Sequence, residues 1–210
     1  MNKPICNQPE LLLPAGEMES VTAAVQNGAG AVYLGGKNFS ARQNAQNFDR
    51  DGLQEAVKYC HARGVKVYQT LNTLVFDRQI PEVLDAAEEG CAAGVDAFIV
   101  QDLGLFSLLK KACPQMRLHA SPQMTVHPPA GALLLRDLGA KRVVLARELS
   151  LEEIREISQG VDIETEVFVH GALCMSVSGQ CYMSAMFGGK SGNRGQCAQP
   201  CRLPFTVEGQ

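Results

Sequence analysis

Residues 80–101 read IPEVLDAAEEGCAAGVDAFIVQ and contain the structural unit that recurs along the chain. Apolar residues at helical spacing predict a helix over Ile80–Ala92, and Gly94 can adopt the left-handed conformation that ends such a helix. The apolar run Ala97–Val100 follows. A short run without polar alternation is typical of a parallel strand that is buried on both faces. The stretch therefore predicts a helix followed by a strand of a parallel sheet.

The same alternation of strand and helix is predicted along most of the chain. Seven strands are predicted: Glu10–Leu13, Ala31–Leu34, Val65–Leu71, Ala97–Val100, Arg117–His119, Arg142–Leu145 and Glu164–Val169. Six helices are predicted: Met18–Gln26, Gly52–Ala62, Ile80–Ala92, Leu105–Cys113, Ala130–Leu138 and Leu151–Ser158. Five glycines are predicted as helix caps: Gly28, Gly64, Gly94, Gly139 and Gly160. Repeated alternation of this kind indicates consecutive right-handed βαβ units.

The spacing of the strands favours an α/β fold of the (β/α)8 TIM-barrel type. Predicted strand starts lie about 26 residues apart, close to the roughly 30 residues per unit of a (β/α)8 barrel. Seven of the eight strands are visible, and an eighth could start near Phe205. We therefore expect an incomplete barrel-like domain over 1–173, continued by a Cys-rich segment over 174–210, in a protein that extends beyond this point. An open doubly wound sheet is the alternative, although no G-x-G-x-x-G motif follows the first strand.

Composition and charge narrow the class of protein. The 210 residues are 46% hydrophobic and 20% charged with a net charge of −3, which is ordinary for a globular domain and gives no overall basic field. No apolar stretch has the length of a signal peptide or a membrane span. We therefore expect a cytoplasmic protein without a membrane span, in which thiols stay reduced.

Polar residues follow most of the predicted strands. In a barrel the carboxyl ends of the strands form the active-site face, although loops are polar in any fold. The candidate catalytic residues are Asn72, His119, Glu148 and His170. The candidate substrate-binding residues are Lys37, Gln101, Gln123, Arg147 and Arg194. Among these, the Arg147 guanidinium suits a carboxylate or a phosphate because it can bind both oxygens.

Four of the 8 cysteines are clustered in the sequence. Cys174, Cys181, Cys197 and Cys201 form the pattern C-x6-C-x15-C-x3-C, whereas Cys6, Cys60, Cys91 and Cys113 are scattered and are interpreted as inert thiols. Four thiolates suit a zinc ion or a four-iron cluster. The wide spacing favours the larger cluster, while zinc and free thiols stay open as alternatives. A nucleophilic Cys174 activated by His170 and Glu166 would need a helix where the sequence predicts a strand.

Several motifs are similar to those of the peptidase U32 family, whose members are often labelled collagenase-like proteases. They are Glu166–Cys174 (EVFVHGALC), Ser178–Ser184 (SGQCYMS), Leu12–Gly16 (LLPAG), Ala31–Gly36 (AVYLGG), Gly192–Cys197 (GNRGQC) and Pro200–Arg202 (PCR). The resemblance implies a four-iron cluster on Cys174, Cys181 and Cys197, with Cys201 as the natural fourth ligand. In some relatives another cysteine takes that fourth place. It also implies hydroxylation of a uridine in tRNA or a cytidine in rRNA, linked to prephenate, or hydroxylation of ubiquinone.

Three functions follow as hypotheses. The first is an iron–sulfur enzyme that hydroxylates a nucleobase in tRNA or rRNA, with prephenate as a possible co-substrate. The second is a collagenase-like peptidase that uses Cys174 or a bound metal. The sequence itself contains neither H-E-x-x-H nor G-x-S-x-G. The third is a non-enzymatic binding module held together by zinc.

Overall fold

The computed structural model describes residues 8–43, 45–172 and 174–206. Seven strands form one sheet: β1 (Leu12–Ala15), β2 (Ala31–Gly35), β3 (Lys66–Leu71), β4 (Ala97–Val100), β5 (Arg117–Ala120), β6 (Arg142–Val144) and β7 (Glu164–Glu166). The helices are α1 (Met18–Gln26), α2 (Arg50–His61), α3 (Ile80–Ala93), α4 (Leu103–Ala112), α5 (Pro129–Asp137), α6 (Leu151–Gly160) and α7 (Met183–Gly188).

The sheet follows the order of the sequence and curls into a half-barrel. Its strands lie in the order β1 to β7, and each pair of neighbours is parallel. In a flat sheet β1 and β6 would lie about 24 Å apart. Instead Glu10, just before β1, accepts a hydrogen bond of 2.9 Å from Arg142 at the start of β6. The curl confirms the predicted α/β, TIM-barrel-like fold with seven parallel strands.

Both faces of the sheet are buried. The outer face packs under the helices, where Phe98, Leu109 and Ile157 are fully buried. The inner face carries a second, smaller apolar cluster that includes Tyr68 and Ile99. Burial on both faces explains why the strands read as continuous apolar runs in the sequence.

A network of charged side chains occupies the amino-terminal part of the inner face. Arg142 lies 2.9 Å from Glu10, 2.9 Å from Glu164 and 3.2 Å from Glu166. Lys66 lies 2.8 Å from the other oxygen of Glu10. Burial opposes ionisation of Glu10, but hydrogen bonds from Lys66, Tyr68 and Arg142 outweigh it and lower the pKa of this carboxyl to about 2.

The structure corrects several predicted element ends. The first strand starts at Leu12 rather than Glu10, whose side chain joins the charged network. The last strand ends at Glu166 rather than Val169, because β6 is its one hydrogen-bonded neighbour among the described strands and already ends at Val144. Four of the predicted glycine caps have positive φ angles: Gly28, Gly64, Gly94 and Gly139. The fifth, Gly160, does not, because it is the last residue of α6.

The Cys-rich segment is largely irregular where it is described. Over residues 174–206 it contains α7 and two short 3-10 turns, Gly192–Arg194 and Pro200–Arg202. The predicted eighth strand near Phe205 extends into residues 207–210, outside the described residues, and Phe205 itself lies in no strand. None of the described helices is long and apolar enough to cross a membrane.

Candidate active site at the carboxyl edge of the sheet

The loops that follow the strands lie at one edge of the parallel sheet, and we call this edge the rim. The Cys-rich segment packs directly on it. Ser178 is fully buried there between the loops that follow β5 and β6. Hydrogen bonds through Ser178 thus hold the segment against the rim.

Ser178 is the main anchor of the segment. Its hydroxyl oxygen accepts hydrogen bonds from the Arg147 side chain at 3.0 Å and from the Arg147 backbone N–H at 3.3 Å. Its backbone N–H donates to the Glu148 carboxylate at 2.5 Å. Its carbonyl accepts a hydrogen bond of 2.6 Å from the hydroxyl of Thr125. Arg147 and Glu148, predicted as substrate-binding and catalytic residues, therefore hold the segment in place.

The Glu148 carboxyl is ionised at neutral pH in this arrangement. Partial burial opposes ionisation, but hydrogen bonds from the backbone N–H groups of Glu148 and Ser178 outweigh burial and lower its pKa. His127 lies 3.7 Å from its other oxygen. Glu148 is therefore suited to accept hydrogen bonds and unsuited to donate a proton as a general acid.

Glycines allow the segment to approach the rim closely. Gly179 has a φ of +72°, and a Cβ atom there would lie 2.2 Å from the carbonyl oxygen of Gln123. Gly195 has a φ of +76°, and its Cβ would lie 2.1 Å from the carbonyl oxygen of Ser40. Backbone hydrogen bonds join Gln43 to Gly195 and Leu74 to Asn193 at 3.3 and 3.0 Å. The segment therefore bridges the loops after β2, β3 and β5 with no space for side chains at these glycines.

Three predicted site residues share an unusual property at the ends of β4 and β5. Both ring nitrogens of His119 and the side-chain oxygens of Gln101 and Gln123 are buried without a hydrogen-bond partner among the described residues. A buried polar group without a partner costs about 1–3 kcal/mol. Such groups in a native structure mark a strained or ligand-binding position. Their concentration at the ends of two neighbouring strands makes this part of the rim the candidate active site.

His119 is uncharged in this environment. The ring is fully buried and packs edge-to-face on Tyr68 with 4.8 Å between the ring centroids. Burial, followed by the positive charges of Arg142 and Arg117, lowers the pKa of the imidazole to about 3. A neutral imidazole has one donor and one acceptor nitrogen. His119 can therefore offer both kinds of hydrogen bond to a polar group above it.

The other predicted site residues lie elsewhere on the rim. The Asn72 side-chain oxygen accepts a hydrogen bond of 2.8 Å from the backbone of Ala41, so it organises the loop after β2. Lys37 donates to the carbonyl of Gln46 at 2.6 Å. His170 is exposed beyond the end of β7. Arg194 lies beside the loop after β3 and donates to Gln79 at 3.1 Å.

The four clustered cysteines lie in the exposed outer part of the segment. Cys174 and Cys201 are exposed, and Cys181 and Cys197 are partly buried. Among the residues that the structure describes, no three His, Cys, Asp or Glu side chains are grouped so that they could share a metal ion. The predicted metal site is therefore not assembled in this arrangement of the segment.

The donor chemistry nevertheless fits a cluster. Four thiols within 28 residues are the complement that a four-iron cluster takes. The Cys197 sulfur already accepts a backbone N–H from Gln199 at 3.4 Å, the type of contact that tunes sulfur ligands of clusters. Binding would require the exposed parts of the segment to bring the sulfurs together, as is common where metal binding is coupled to folding.

Sequence reasoning missed Ser178 and Thr125. Ser178 is part of the Ser178–Ser184 motif, but nothing in the spacing shows that it binds two rim residues about 30 positions earlier, Arg147 and Glu148. Thr125 has a φ of +59°, which is uncommon for a β-branched residue and marks a constrained turn. That conformation cannot be deduced from the residue type.

Comparisons with known proteins agree with this arrangement. The chain is 44% identical over 199 residues to the 23S rRNA 5-hydroxycytidine C2501 synthase of Escherichia coli (strain K12), covering 95% of this chain and 30% of that protein. It is 37% identical over 203 residues to the tRNA hydroxylation protein P1 of Bacillus subtilis (strain 168), covering 97% of this chain and 48% of that protein. The chain thus spans 30% and 48% of the length of these two relatives.

A solved structure and a family model complete the comparison. The structure of the U32 peptidase Mk0906 superposes with a TM-score of 0.66 at 15% identity, covering 80% of this chain and 71% of the other, and so supports the fold. The model of peptidase family U32 matches residues 16–210, which include strands β2 to β7, the rim loops that follow them and the Cys-rich segment. The chain therefore belongs to peptidase family U32.

Proposed function

We propose that this chain is part of an enzyme that hydroxylates a nucleobase in ribosomal or transfer RNA. The observation that carries the proposal is the 44% identity, over 95% of the chain, to a protein named for 5-hydroxycytidine synthesis in 23S rRNA. A second relative at 37% identity is named for tRNA hydroxylation. The compact rim beneath the Cys-rich segment supplies the site.

The unpartnered groups at the ends of β4 and β5 are suited to a nucleobase. A side-chain amide has one acceptor oxygen and two donor hydrogens, which match the polar edges of bases. We therefore assign Gln101 and Gln123 to hydrogen bonds with the base. We assign His119, whose ring is fully buried and uncharged, as a positioning residue. A base reaching them would have to leave its stack and enter between the rim and the segment.

We further propose that Cys174, Cys181, Cys197 and Cys201 hold a four-iron cluster. Bound there, the cluster would supply a redox centre on a segment that Ser178 fixes to the rim. The support is the chemistry of the four thiols and the contact between segment and rim. Prephenate as a co-substrate belongs to the same proposal.

Metal analysis tests the cluster. The full-length protein purified without oxygen is expected to contain iron and acid-labile sulfide and to absorb near 400 nm. A Cys181→Ser variant should lose this iron, whereas Cys113→Ser, which changes a thiol outside the segment, should keep it. Stoichiometric zinc without iron in the wild-type protein would contradict the proposal.

Nucleoside analysis tests the reaction. In cells that lack the gene, mass spectrometry of digested rRNA and tRNA should show the loss of a hydroxylated pyrimidine. The full-length gene on a plasmid should restore it, and the Cys181→Ser gene should not. Unchanged RNA in the deletion strain would reject the reaction.

The geometry does not favour a peptidase with Cys174 as nucleophile. Such a site needs a base positioned beside the thiol and a group that orients the base. The orienting candidate, Glu166, instead binds Arg142 inside the half-barrel at 3.2 Å. His170 lies in a stretch without helical structure, so spacing alone does not bring it to Cys174.

A further inference from the structure

A small polar cavity lies beside the rim, between the Cys-rich segment and the loops after β2 and β3. Its volume is about 100 Å³, and its polar walls include Asn38, Gln43, Thr73, Gln79, Glu82 and Arg194. It is distinct from the unpartnered groups at the ends of β4 and β5.

The guanidinium of Arg194 is fixed in the wall of this cavity. It stacks on the ring of Phe76, with the Cζ atom 4.1 Å from the ring centroid. Its Nη2 donates to the Gln79 side-chain oxygen at 3.1 Å, and that oxygen also accepts the Phe76 backbone N–H at 3.2 Å. Stacking and hydrogen bonding together hold the plane of the guanidinium in one orientation.

The other terminal nitrogen of Arg194 is left without a partner. Its Nη1 is buried and makes no hydrogen bond to any described residue. Burying a charged donor costs free energy unless an acceptor forms a hydrogen bond with it. The ligand group that suits a fixed guanidinium best is a carboxylate or a phosphate.

We propose that this cavity binds an oxyanion, either a carboxylate or a phosphate group, through the guanidinium of Arg194. The volume is sufficient for one such group. The neutral side chains of Asn38, Gln43 and Thr73 are available in the wall as further donors. The inference stands apart from the RNA hydroxylation proposal, because it rests on Arg194 and its cavity alone.

The walls of the cavity are preorganised. Gly195 follows Arg194 and has no space for a Cβ atom against Ser40, and backbone hydrogen bonds tie Asn193 to Leu74 and Gly195 to Gln43. Phe39, also in the wall, has a φ of +61°, which is costly for a bulky residue. A rigid cavity loses little conformational freedom when a ligand binds.

Glu82 limits which anion can bind. It is the acidic residue in the first turn of α3 and is the one carboxylate in the described cavity wall. A second negative charge on the ligand would be repelled by it. The cavity should therefore prefer a singly charged oxyanion to a doubly charged one.

Two substitutions at exposed positions of the cavity wall change its charge in opposite directions. Titration calorimetry of the full-length protein with acetate and with inorganic phosphate, at constant ionic strength and below the second pKa of phosphate, should detect binding. Glu82→Gln removes a repulsive charge and should tighten binding about fivefold, while Asn38→Asp adds one and should weaken it about fivefold. Arg194→Gln should abolish binding.

Each result of these titrations either supports or rejects binding at Arg194. Equal affinity in the wild-type and Arg194→Gln proteins, or no binding of either anion, would overturn the proposal. If Arg194→Gln does not fold, the opposite shifts in Glu82→Gln and Asn38→Asp still support it, and equal affinities in those two variants reject it.

A competition experiment identifies which kind of molecule carries the oxyanion. A short single-stranded RNA is compared with a mixture of nucleosides that lack phosphate. If the RNA displaces bound phosphate from the wild-type protein and the nucleosides do not, the site binds the RNA backbone. Phosphate or acetate binding that RNA leaves unchanged would assign it to a small soluble acid.

Discussion

His119 combines complete burial with two ring nitrogens that have no hydrogen-bond partner among the described residues. Replacing it by phenylalanine removes both unpaired groups and retains a ring against Tyr68, so we expect the free energy of unfolding to change by less than about 1.5 kcal/mol. RNA hydroxylation in cells should fall about 100-fold, because a small misplacement of a bound substrate can cost this much. Urea denaturation and nucleoside mass spectrometry measure the two effects. A stable His119→Phe protein with normal activity would remove His119 from the site.

The lowered pKa of His119 also predicts how stability depends on pH. The imidazole titrates near 6.5 in the unfolded chain but near 3 in the folded protein, so the unfolded chain binds the extra proton between these values. The contribution of His119 is therefore complete above about pH 6.5 and is lost as the pH falls towards 3, at up to about 1.4 kcal/mol per pH unit. Urea denaturation between pH 5 and 7 should show a shallower slope for His119→Phe than for the wild-type protein. Parallel slopes for the two would contradict the buried, neutral state.

At the residue scale the sequence predicts which side chains reach the rim but not what they bind there. Gln101, Arg147 and Glu148 come after predicted strands and lie at the rim, whereas His119 lies within β5, in register with Arg142. That Arg147 and Glu148 bind Ser178 depends on how a distant segment docks, and no local pattern encodes such a contact. The missing partners of Gln101 and His119 depend in the same way on the assembled fold.

At the scale of elements, Gly179 determines whether the Cys-rich segment can dock. Alanine there would meet the Gln123 carbonyl and keep an unfavourable positive φ, so the segment must lift from the rim. We expect Gly179→Ala to accelerate proteolysis within residues 174–206 at least about fivefold, because local opening exposes the backbone. Iron loading should fall as well.

Gly188 is the matched control for this change. It lies at the end of α7, and a Cβ atom there would meet no heavy atom within 4 Å. Gly188→Ala should leave proteolysis and iron content unchanged. Equal protection of the segment in Gly179→Ala and wild-type protein would show that the contact with Gln123 does not hold it.

The elements themselves were largely predictable because parallel strands and amphipathic helices have distinct apolar patterns. The predicted end of the last strand was wrong, because apolar residues there have no neighbouring strand to pair with in the described part of the chain. Val167, Phe168 and Val169 are the apolar part of the last predicted strand, Glu164–Val169, yet they are exposed and belong to no strand. Apolar composition reports that a residue favours burial, whereas strand formation also requires a neighbour to pair with.

For the whole molecule, the contact between Glu10 and Arg142 reports the curl of the sheet, since it joins segments that a flat sheet would separate. Arg142 is the shared cation of Glu10, Glu164 and Glu166, so Arg142→Met should destabilise the protein by about 3–5 kcal/mol. In a double-mutant cycle, Glu10→Gln and Arg142→Met should be coupled by about 1–3 kcal/mol. Arg117→Met is the control, because its pair with Glu164 is exposed and should contribute less than about 1 kcal/mol. Urea denaturation of the full-length protein gives each value. Additive effects of Glu10→Gln and Arg142→Met would mean that the curl forms without this contact, and the packing of the inner face around Tyr68 would then be its remaining cause.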